Sequence, residues 1–499
     1  MLRLLLRRRH DFENNSKKSD ALFVVDQRAM QSVCLECPHS RPHSVEGFRM
    51  RSALVEKYGD ERLPRYTSYP TSPCFSTNVD DNTYENWLTA GALEKAASLY
   101  VHIPFCPSIC WYCGCHTTNA RGSRPIVDYL RMLREEVRLV SAKTGAPVRI
   151  DHLHFGGGTP TIMGPKKMFE LVELLHKHFE FTGSTQIALE IDPRTLDQEM
   201  AMVLGEAGVH RASIGVQTFD ATVQRAINRI QSKEQTMKAV FQLRRARIAS
   251  INFDLMYGLP NQTVQSCIET TKAAIEMEPD RFAVFGYAHV PSFKKHQQLI
   301  DEAALANAQS RISQAKAISE HLVAAGYRRI GIDHFARPHD SLAAAQTNGQ
   351  LHRNFQGYTT DACETLIGLG SSAIGRTPGG YVQNEVLPNR YAKRIASGRL
   401  ATTKGWRLSA EDRLRASIIE RLMCDFQVDV PALAVTYGFE PRALLDGNTR
   451  LAVLESDGII ENAGGIIRLL EEGRFLIRAV AAAFDAYVRG PARRYSKTA

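Results

Sequence analysis

The sequence predicts an α/β fold built on a parallel sheet, followed by a mostly helical C-terminal region. Three observations carry this. Between Ser98 and Val290 six short β-rich runs alternate with helical patterns, the order expected of βαβ units. Polar residues gather at the carboxyl ends of five successive strands, where parallel α/β folds place their sites. After Leu408 the β-rich runs give way to helical spacing. Six units fall short of the eight of a complete barrel, so an incomplete barrel and an open doubly wound sheet both fit.

The elements follow in order. "SLYVHIPF" (98–105) is the first strand, followed by a cysteine segment and the helical "PIVDYLRMLREEVRLVSA". "VRIDHLHF" is the second strand, ending at Gly156–Gly158 before the amphipathic "KKMFELVELLHKHF". "QIALEID" ends near Glu190 and Asp192, and Gly208 stops the next helix. "RASIGVQ" ends at Gln217, "INFDLMYG" carries Asp254, and "RFAVFGYAHV" runs toward Tyr287 and His289. A further helix, "ANAQSRISQAKAISEHLVAAGY", leads to the strand-like "RRIGIDHFARP", whose His334 and Arg337 either face the site or serve the fold. Beyond Leu408, "DGIIENAGGIIRLLEEGRFLIR" reads as a hairpin turned at Asn462–Gly465, then a helix. The order helix, hairpin, helix resembles a winged-helix module. No basic recognition helix stands out, so a packing domain is favoured over DNA binding.

The domain organisation expected is an N-terminal extension (1–50), an arm near the site (51–97), a partial barrel (98–345), a barrel extension (346–405) and a C-terminal helical domain (406–499). In the extension, Cys34 and Cys37 form a single CxxC without a second pair, too weak for a metal site. The extension reads as a mobile tail or as sequence ahead of a true start at Met50.

Ten cysteines in 499 residues are too few for a disulfide scaffold. The start "MLRLLLRRRH" resembles a signal peptide only at first glance, since three arginines follow Leu6 where an h-region would continue. No stretch approaches the roughly 20 apolar residues of a membrane span. A cytoplasmic protein without membrane contact is expected. The net charge of +9 is spread along the chain, which argues for a basic surface or an anionic small-molecule substrate, not a nucleic-acid groove.

Four cysteines crowd into "CPSICWYCGC" (106–115). Cys106, Cys110 and Cys113, spaced C-x3-C-x2-C after the first strand, can hold three corners of an iron–sulfur cube. Cys115, one residue beyond Cys113, is awkward for the far corner. A zinc site usually joins two ligand pairs from separate turns, so zinc is the lesser reading. In "GGGTP", Gly158 and Thr159 are placed to offer N–H groups to a carboxylate or ribose. Glu190 and Asp254 are placed to accept from ribose hydroxyls or an ammonium group.

Together these residues resemble the radical S-adenosylmethionine superfamily. "PRYTSYPT" (64–71), "YVHIPFC", Cys115, "FGGGTPT", "GVQTFD", "NFDLMYGLP", "DHFARP" and "HRNFQGYTT" are similar to the oxygen-independent coproporphyrinogen III oxidase family, from about residue 52 to the end. The resemblance implies an incomplete (β/α)6 TIM-like barrel with a parallel sheet, plus a mostly helical C-terminal domain. It implies an oxidoreductase of porphyrin and haem biosynthesis that works without oxygen. Two propionates of coproporphyrinogen III become vinyl groups through a 5′-deoxyadenosyl radical. The cofactors implied are a [4Fe–4S] cluster on Cys106, Cys110 and Cys113, and two molecules of S-adenosylmethionine. Tyr100, Gly157, Glu190 and Ile374 would contact the first. Tyr112, Gly158, Thr159, Gln217, Arg229, Asp254 and Ala288 would line the second, with Met256 and Gln356 close by. Tyr112 stands where the family often carries Phe. Cys115 matches the family's extra cysteine, which is not a ligand, and it is the one side chain kept as a catalytic candidate. Arg65 is a candidate contact for the tetracarboxylate substrate. An electron donor of the flavodoxin type and a monomeric state are expected. The alternative is a haem chaperone with the same barrel, whose members generally lack Cys115 and the "PRYTSYPT" arm.

Overall fold

A computed structural model describes residues 52–90, 96–120, 122–488 and 495. The first fifty residues, with Cys34, Cys37 and Met50, lie outside the described residues.

The arm begins with α1 (Ser52–Tyr58) and reaches α2 (Asp81–Thr89), capped by the Asp80 side chain on the Thr83 N–H. The main sheet then opens with β1 (Ala97–Ile103), followed by the short β2 (Phe105–Cys106) and β3 (Thr118–Asn119). Next come α3 (Arg124–Lys143), β4 (Arg149–Gly157), α4 (Pro165–His178) and β5 (Glu180–Ile191). After them follow α5 (Gln198–Glu206), β6 (Arg211–Gln217), α6 (Ala221–Ala226) and α7 (Lys233–Arg245). The alternation closes with β7 (Ser250–Tyr257), α8 (Val264–Ile275) and β8 (Arg281–Gly286).

These elements form because their apolar spacing suits them. On α3, Ile126, Tyr129, Leu130, Leu133, Val137 and Val140 recur at three- and four-residue steps and are buried against the sheet. Each fully buried Leu or Ile of this kind contributes about 1.5–3 kcal/mol of transfer free energy. Ser232 and Gln235 form a capping box that starts α7, and Gly208 ends its turn after α5 at φ +76°.

The predicted six strands stand side by side and parallel, in the order β1–β4–β5–β6–β7–β8. The structure adds a seventh, β13 (Thr365–Leu369), parallel to β1 with Tyr100 opposite Gly368. Two flanks of antiparallel strands extend the sheet. One is β9 (Arg328–Ile330) with β10 (His334–Ala336), which pairs with β8. The strand-like run 328–338 is therefore two short strands around Gly331, whose φ of +56° suits the turn. The other flank is β14 (Ile374–Thr377), β15 (Gly380–Asn384) and β16 (Thr402–Arg407). Between the flanks, α9 (Ala308–Ala324) covers the sheet, and β11 (His352–Asn354) with β12 (Gly357–Thr359) makes a separate ribbon.

After Leu408 the chain forms α10 (Ala410–Asp425), β17 (Gln427–Asp429), α11 (Val430–Thr436) and α12 (Thr449–Ser456). The hairpin of β18 (Ile460–Ala463) and β19 (Ile466–Leu469) then leads to α13 (Ile477–Ala481). The hairpin turns on Gly464 and Gly465, both at positive φ, which is what a two-residue turn between right-twisted strands requires. This region shares a core with the arm: Leu54, Tyr58, Leu63, Tyr66 and Tyr69 are buried together with Leu414, Leu422, Ile467 and Phe484. Among the described residues no helix is long and apolar enough to cross a membrane.

Candidate active site

The cysteine segment is an excursion with both feet tied. Cys106 ends β2, which pairs in parallel with β3, and the Ala120 N–H donates to Cys106 O at 3.1 Å. The crest is fastened to the end of α6: the Trp111 N–H donates to Ile227 O at 2.9 Å, and Asn228 Nδ2 donates to Ile109 O at 3.0 Å. Gln297, fully buried, donates from Nε2 to Tyr112 O at 3.0 Å and to Ala288 O at 3.2 Å. It thereby joins the cysteine loop to the segment beyond β8.

The sulfurs collect donors. Arg229 Nη1 donates to Cys110 Sγ at 3.5 Å and Arg194 Nη2 at 3.8 Å. Thr159 Oγ1 donates to Cys106 Sγ at 3.7 Å. Burial pushes the Cys106 thiol up to about 12. Cys113 is drawn down, first by its hydrogen bonding to Cys115, whose own thiol the same interaction pushes up. Cys115 is open to solvent. Asp192 holds both arginines: Arg194 Nη2 lies 2.6 Å from Oδ2, and Arg229 Nη2 lies 3.5 Å from Oδ1. Burial works against this carboxylate, but the Arg194 hydrogen bond and the Arg229 charge outweigh it and keep its pKa below normal.

Above the sulfur loop, Gly157 has φ +111°, and a Cβ there would lie 2.6 Å from the His102 ring. Its N–H donates to Glu190 Oε2 at 3.0 Å. Tyr100 donates or accepts at His102 Nδ1 across 2.9 Å, and its ring and the Glu190 carboxylate flank Gly156. Ile374 sits at the start of β14, its carbonyl 2.8 Å from where a Cβ of Gly368 would be, beside Tyr100 in the sheet. Gln217 ends β6 with φ +65°, and its side chain lies with Arg229 over Gly215. Asp254 accepts from Asn252 Nδ2 at 2.8 Å and from Ser213 Oγ at 3.0 Å. Burial pushes it up to about 7, with the Glu190 charge adding to the effect.

The sequence expectation about the glycine triplet needs correction in one respect. The Gly158 N–H donates to Ile103 O and the Thr159 N–H to Phe105 O, both at 2.8 Å. Those groups fasten the loop to β1 and β2 and are not offered to a ligand. Asp254 also differs from expectation in place, since β7 runs three residues past it to Tyr257. Glu190, Asp254, His334 and Gln356 line one cavity of about 190 Å³. Arg337 is elsewhere, its guanidinium 4.1 Å from the Tyr327 ring centroid. Met256, like Trp111 and Tyr112, packs against the cluster of Val223, Ile227, Leu259, Tyr287 and Ile300. His289 bonds Tyr287 Oη at 2.8 Å and Glu302 at 2.9 Å. Arg194 and Gln297 were missed by sequence reasoning. For Arg194 a signal existed in "IDPRT", a basic residue just past a strand-end acid.

Among the described residues, no three Cys, His, Asp or Glu side chains converge tightly enough to hold one metal ion. A four-iron cube distributes its thiolates over separate irons, and the donor set here suits it. Three soft sulfurs share one loop, N–H and O–H groups aim at two of them, and the buried Arg229 Nε has no hydrogen-bond partner among the described residues.

Comparison with known proteins places this geometry. Residues 100–274 match the Radical SAM superfamily and residues 408–476 the HemN C-terminal domain. The chain is 53% identical over 439 residues to the oxygen-independent coproporphyrinogen III oxidase of Bradyrhizobium diazoefficiens, covering 88% of this chain and 98% of that one. It belongs to the oxygen-independent coproporphyrinogen III oxidase family. The relative of that name from Salmonella typhimurium is 38% identical, covering 88% of this chain and 96% of its own. Coproporphyrinogen III oxidase (HemN) from Escherichia coli, a radical SAM enzyme, superposes with a TM-score of 0.83 at 34% identity, covering 88% of this chain and all of that one. Membership of the superfamily implies a [4Fe–4S] cluster and S-adenosylmethionine.

Proposed function

We infer that the chain is an oxidoreductase that converts two propionates of coproporphyrinogen III to vinyl groups without oxygen, giving protoporphyrinogen IX. The observation that carries this is the relationship along nearly the whole length of a coproporphyrinogen III oxidase, at 53% identity. It includes the "PRYTSYPT" arm and Cys115.

Cys106, Cys110 and Cys113 are the proposed cluster ligands, with Cys115 left free. A bound cluster would supply the one-electron reduction that cleaves the sulfonium of S-adenosylmethionine to methionine and a 5′-deoxyadenosyl radical. The protein's part is to hold, orient and exclude water. Tyr100, Gly157, Glu190 and Ile374 surround the proposed first S-adenosylmethionine, where Glu190 is an acceptor for its ammonium or ribose. Tyr112, Gly158, Thr159, Gln217, Arg229, Asp254 and Ala288 line the proposed second. Arg229 and Arg194 place positive charge beside a negatively charged cluster, which favours its reduction. Each propionate gives up one hydrogen atom from its β-carbon, then carbon dioxide and one electron, leaving the vinyl double bond. The electron acceptor, and a donor of the flavodoxin type, lie outside the chain.

The test is anaerobic incubation of reconstituted protein with S-adenosylmethionine, a strong reductant and coproporphyrinogen III. Protoporphyrinogen and 5′-deoxyadenosine rising together support the reading. A cluster that forms while the porphyrinogen stays untouched favours the haem chaperone.

A further inference from the structure

Four guanidinium groups border a cavity of about 70 Å³ beyond the carboxyl ends of β7 and β8. Arg65 comes from the arm, Arg311 from α9, Arg353 from β11 and Arg478 from α13. The chain thus brings cations from four separate places to one point. Asp333 is the one carboxylate in the lining. It is shared, with Oδ1 2.7 Å from His334 Nδ1 and Oδ2 3.4 Å from Arg353 Nη2. Four guanidiniums meet one carboxylate in the lining; Asp60 acts on Arg311 from outside it.

Backbone carbonyls take up part of this donor capacity. Arg65 Nη2 donates to Gly286 O at 2.7 Å, and Arg478 donates to Pro64 O at 2.9 Å and to Leu63 O. Arg353 is different. Its side chain is 4% exposed, and its Nε and Nη1 have no hydrogen-bond partner among the described residues. A guanidinium does not shed its proton in a protein, so buried donors of this kind need an anion. Burial also pulls Arg311 and Arg478 below the ordinary arginine range, Arg478 to about 9. An anion in the cavity would relieve all of them together. The space suits a small one: a single water needs only about 10–15 Å³ in such a measure. Tyr257, Phe285 and Ile312 supply apolar wall for a methylene stem.

We propose that this arginine pocket anchors a propionate carboxylate of the porphyrinogen that the enzyme does not decarboxylate. The proposal rests on the function inferred above. Tyr257 and Gly286 line the pocket, three residues past Asp254 on β7 and two before Ala288, so an arm held here belongs to a molecule bordering the radical site. The choice of a retained propionate follows from charge. A carboxylate that leaves as carbon dioxide loses its negative charge. Ion pairs to it stabilise the ground state more than the transition state and would raise the barrier. Paired guanidiniums therefore suit a carboxylate that stays, and they supply the fork geometry that fixes its orientation.

The experiment uses full-length reconstituted enzyme carrying Arg65→Gln or Arg311→Gln, with Arg65→Lys and Arg311→Lys as conservative partners. Arg65 reaches solvent, and it donates to the backbone carbonyl of Gly286, so its substitution leaves the fold intact. Binding is read anaerobically with coproporphyrin III, and with its tetramethyl ester as the probe without carboxylates. Turnover of coproporphyrinogen III is read as KM and kcat. The Gln variants are expected to raise KM and weaken coproporphyrin III binding about tenfold, at nearly unchanged kcat. The Lys variants are expected to recover part of the loss, and the ester to bind every variant alike. Unchanged KM and binding in both Gln variants, beside an active wild type, overturns the anchor, as does a fall in kcat at constant KM. A wild type that leaves coproporphyrinogen III untouched defeats the functional reading, and the anchor with it.

Discussion

Arg229 Nη1 lies 3.5 Å from the sulfur of Cys110, although 119 residues separate them in the chain. This contact ties the end of α6 to the cysteine loop and places a permanent positive charge at a proposed cluster ligand. Removing that charge while keeping a polar side chain, as in Arg229→Gln, stabilises the oxidised cluster. Its reduction potential is expected to shift negative by on the order of 50 mV or more. An electron paramagnetic resonance titration measures this; an unchanged potential contradicts the assignment of Cys110 as a ligand.

Cys110 and Cys115 should separate cleanly. Cys110→Ser is expected to lose the [4Fe–4S] cluster and all turnover, while Cys115→Ser keeps its iron and sulfide. Iron and sulfide analysis after anaerobic reconstitution decides it. A cluster retained in Cys110→Ser, or lost in Cys115→Ser, contradicts the three-ligand arrangement.

Gly158→Ala should disturb the same loop from beneath. A Cβ at Gly158 would lie 2.4 Å from the Phe105 carbonyl oxygen, which also accepts the Thr159 N–H. The backbone must shift, at a cost of about 1–3 kcal/mol, and Cys106 follows Phe105 directly. Denaturant unfolding and iron content are expected to fall together; a variant with wild-type stability and cluster shows that the loop yields freely.

Glu136 offers a pH test away from the thiols. It is buried on α3 and accepts from the Gly370 N–H at 2.5 Å, Asn384 Nδ2 at 2.7 Å and Tyr391 Oη at 2.8 Å. It thereby holds the turn that leads to Ile374. Burial pushes it from 4.5 up to about 7 against those three donors. Between these values the native state binds more protons than the unfolded one, so stability falls as pH rises. The full fall is on the order of 3 kcal/mol. Urea unfolding at pH 5.5 and pH 8 should show part of this loss in the wild type and less of it in Glu136→Gln. Equal pH dependence in both contradicts it.

Much of the barrel was legible because its strands are long enough to show period and end in glycine or acid. "RASIGVQ" is β6 residue for residue. The seventh parallel strand was not, because "TLIGL" is five residues whose place beside β1 is set by nonlocal pairing. The run 328–338 hid a turn at Gly331, since β-branched Ile330 and Ile332 flank the glycine and give it the look of a strand interior. At the site, the cysteine spacing pointed to the sulfurs, but the N–H groups of Gly158 and Thr159 proved to be spent on the backbone. The arginine pocket was least legible. Its four cations lie on four distant segments; Arg65 and Arg353 stood in recognisable motifs, but only Arg65 was singled out as a substrate contact.

The central claim is that a propionate β-hydrogen of coproporphyrinogen III passes to the 5′-deoxyadenosyl radical. Coproporphyrinogen III deuterated at the propionate β-carbons tests it directly, by mass spectrometry of the 5′-deoxyadenosine formed in anaerobic turnover. The account predicts deuterium in the 5′-deoxyadenosine, alongside protoporphyrinogen IX. Unlabelled 5′-deoxyadenosine accompanying product would contradict it.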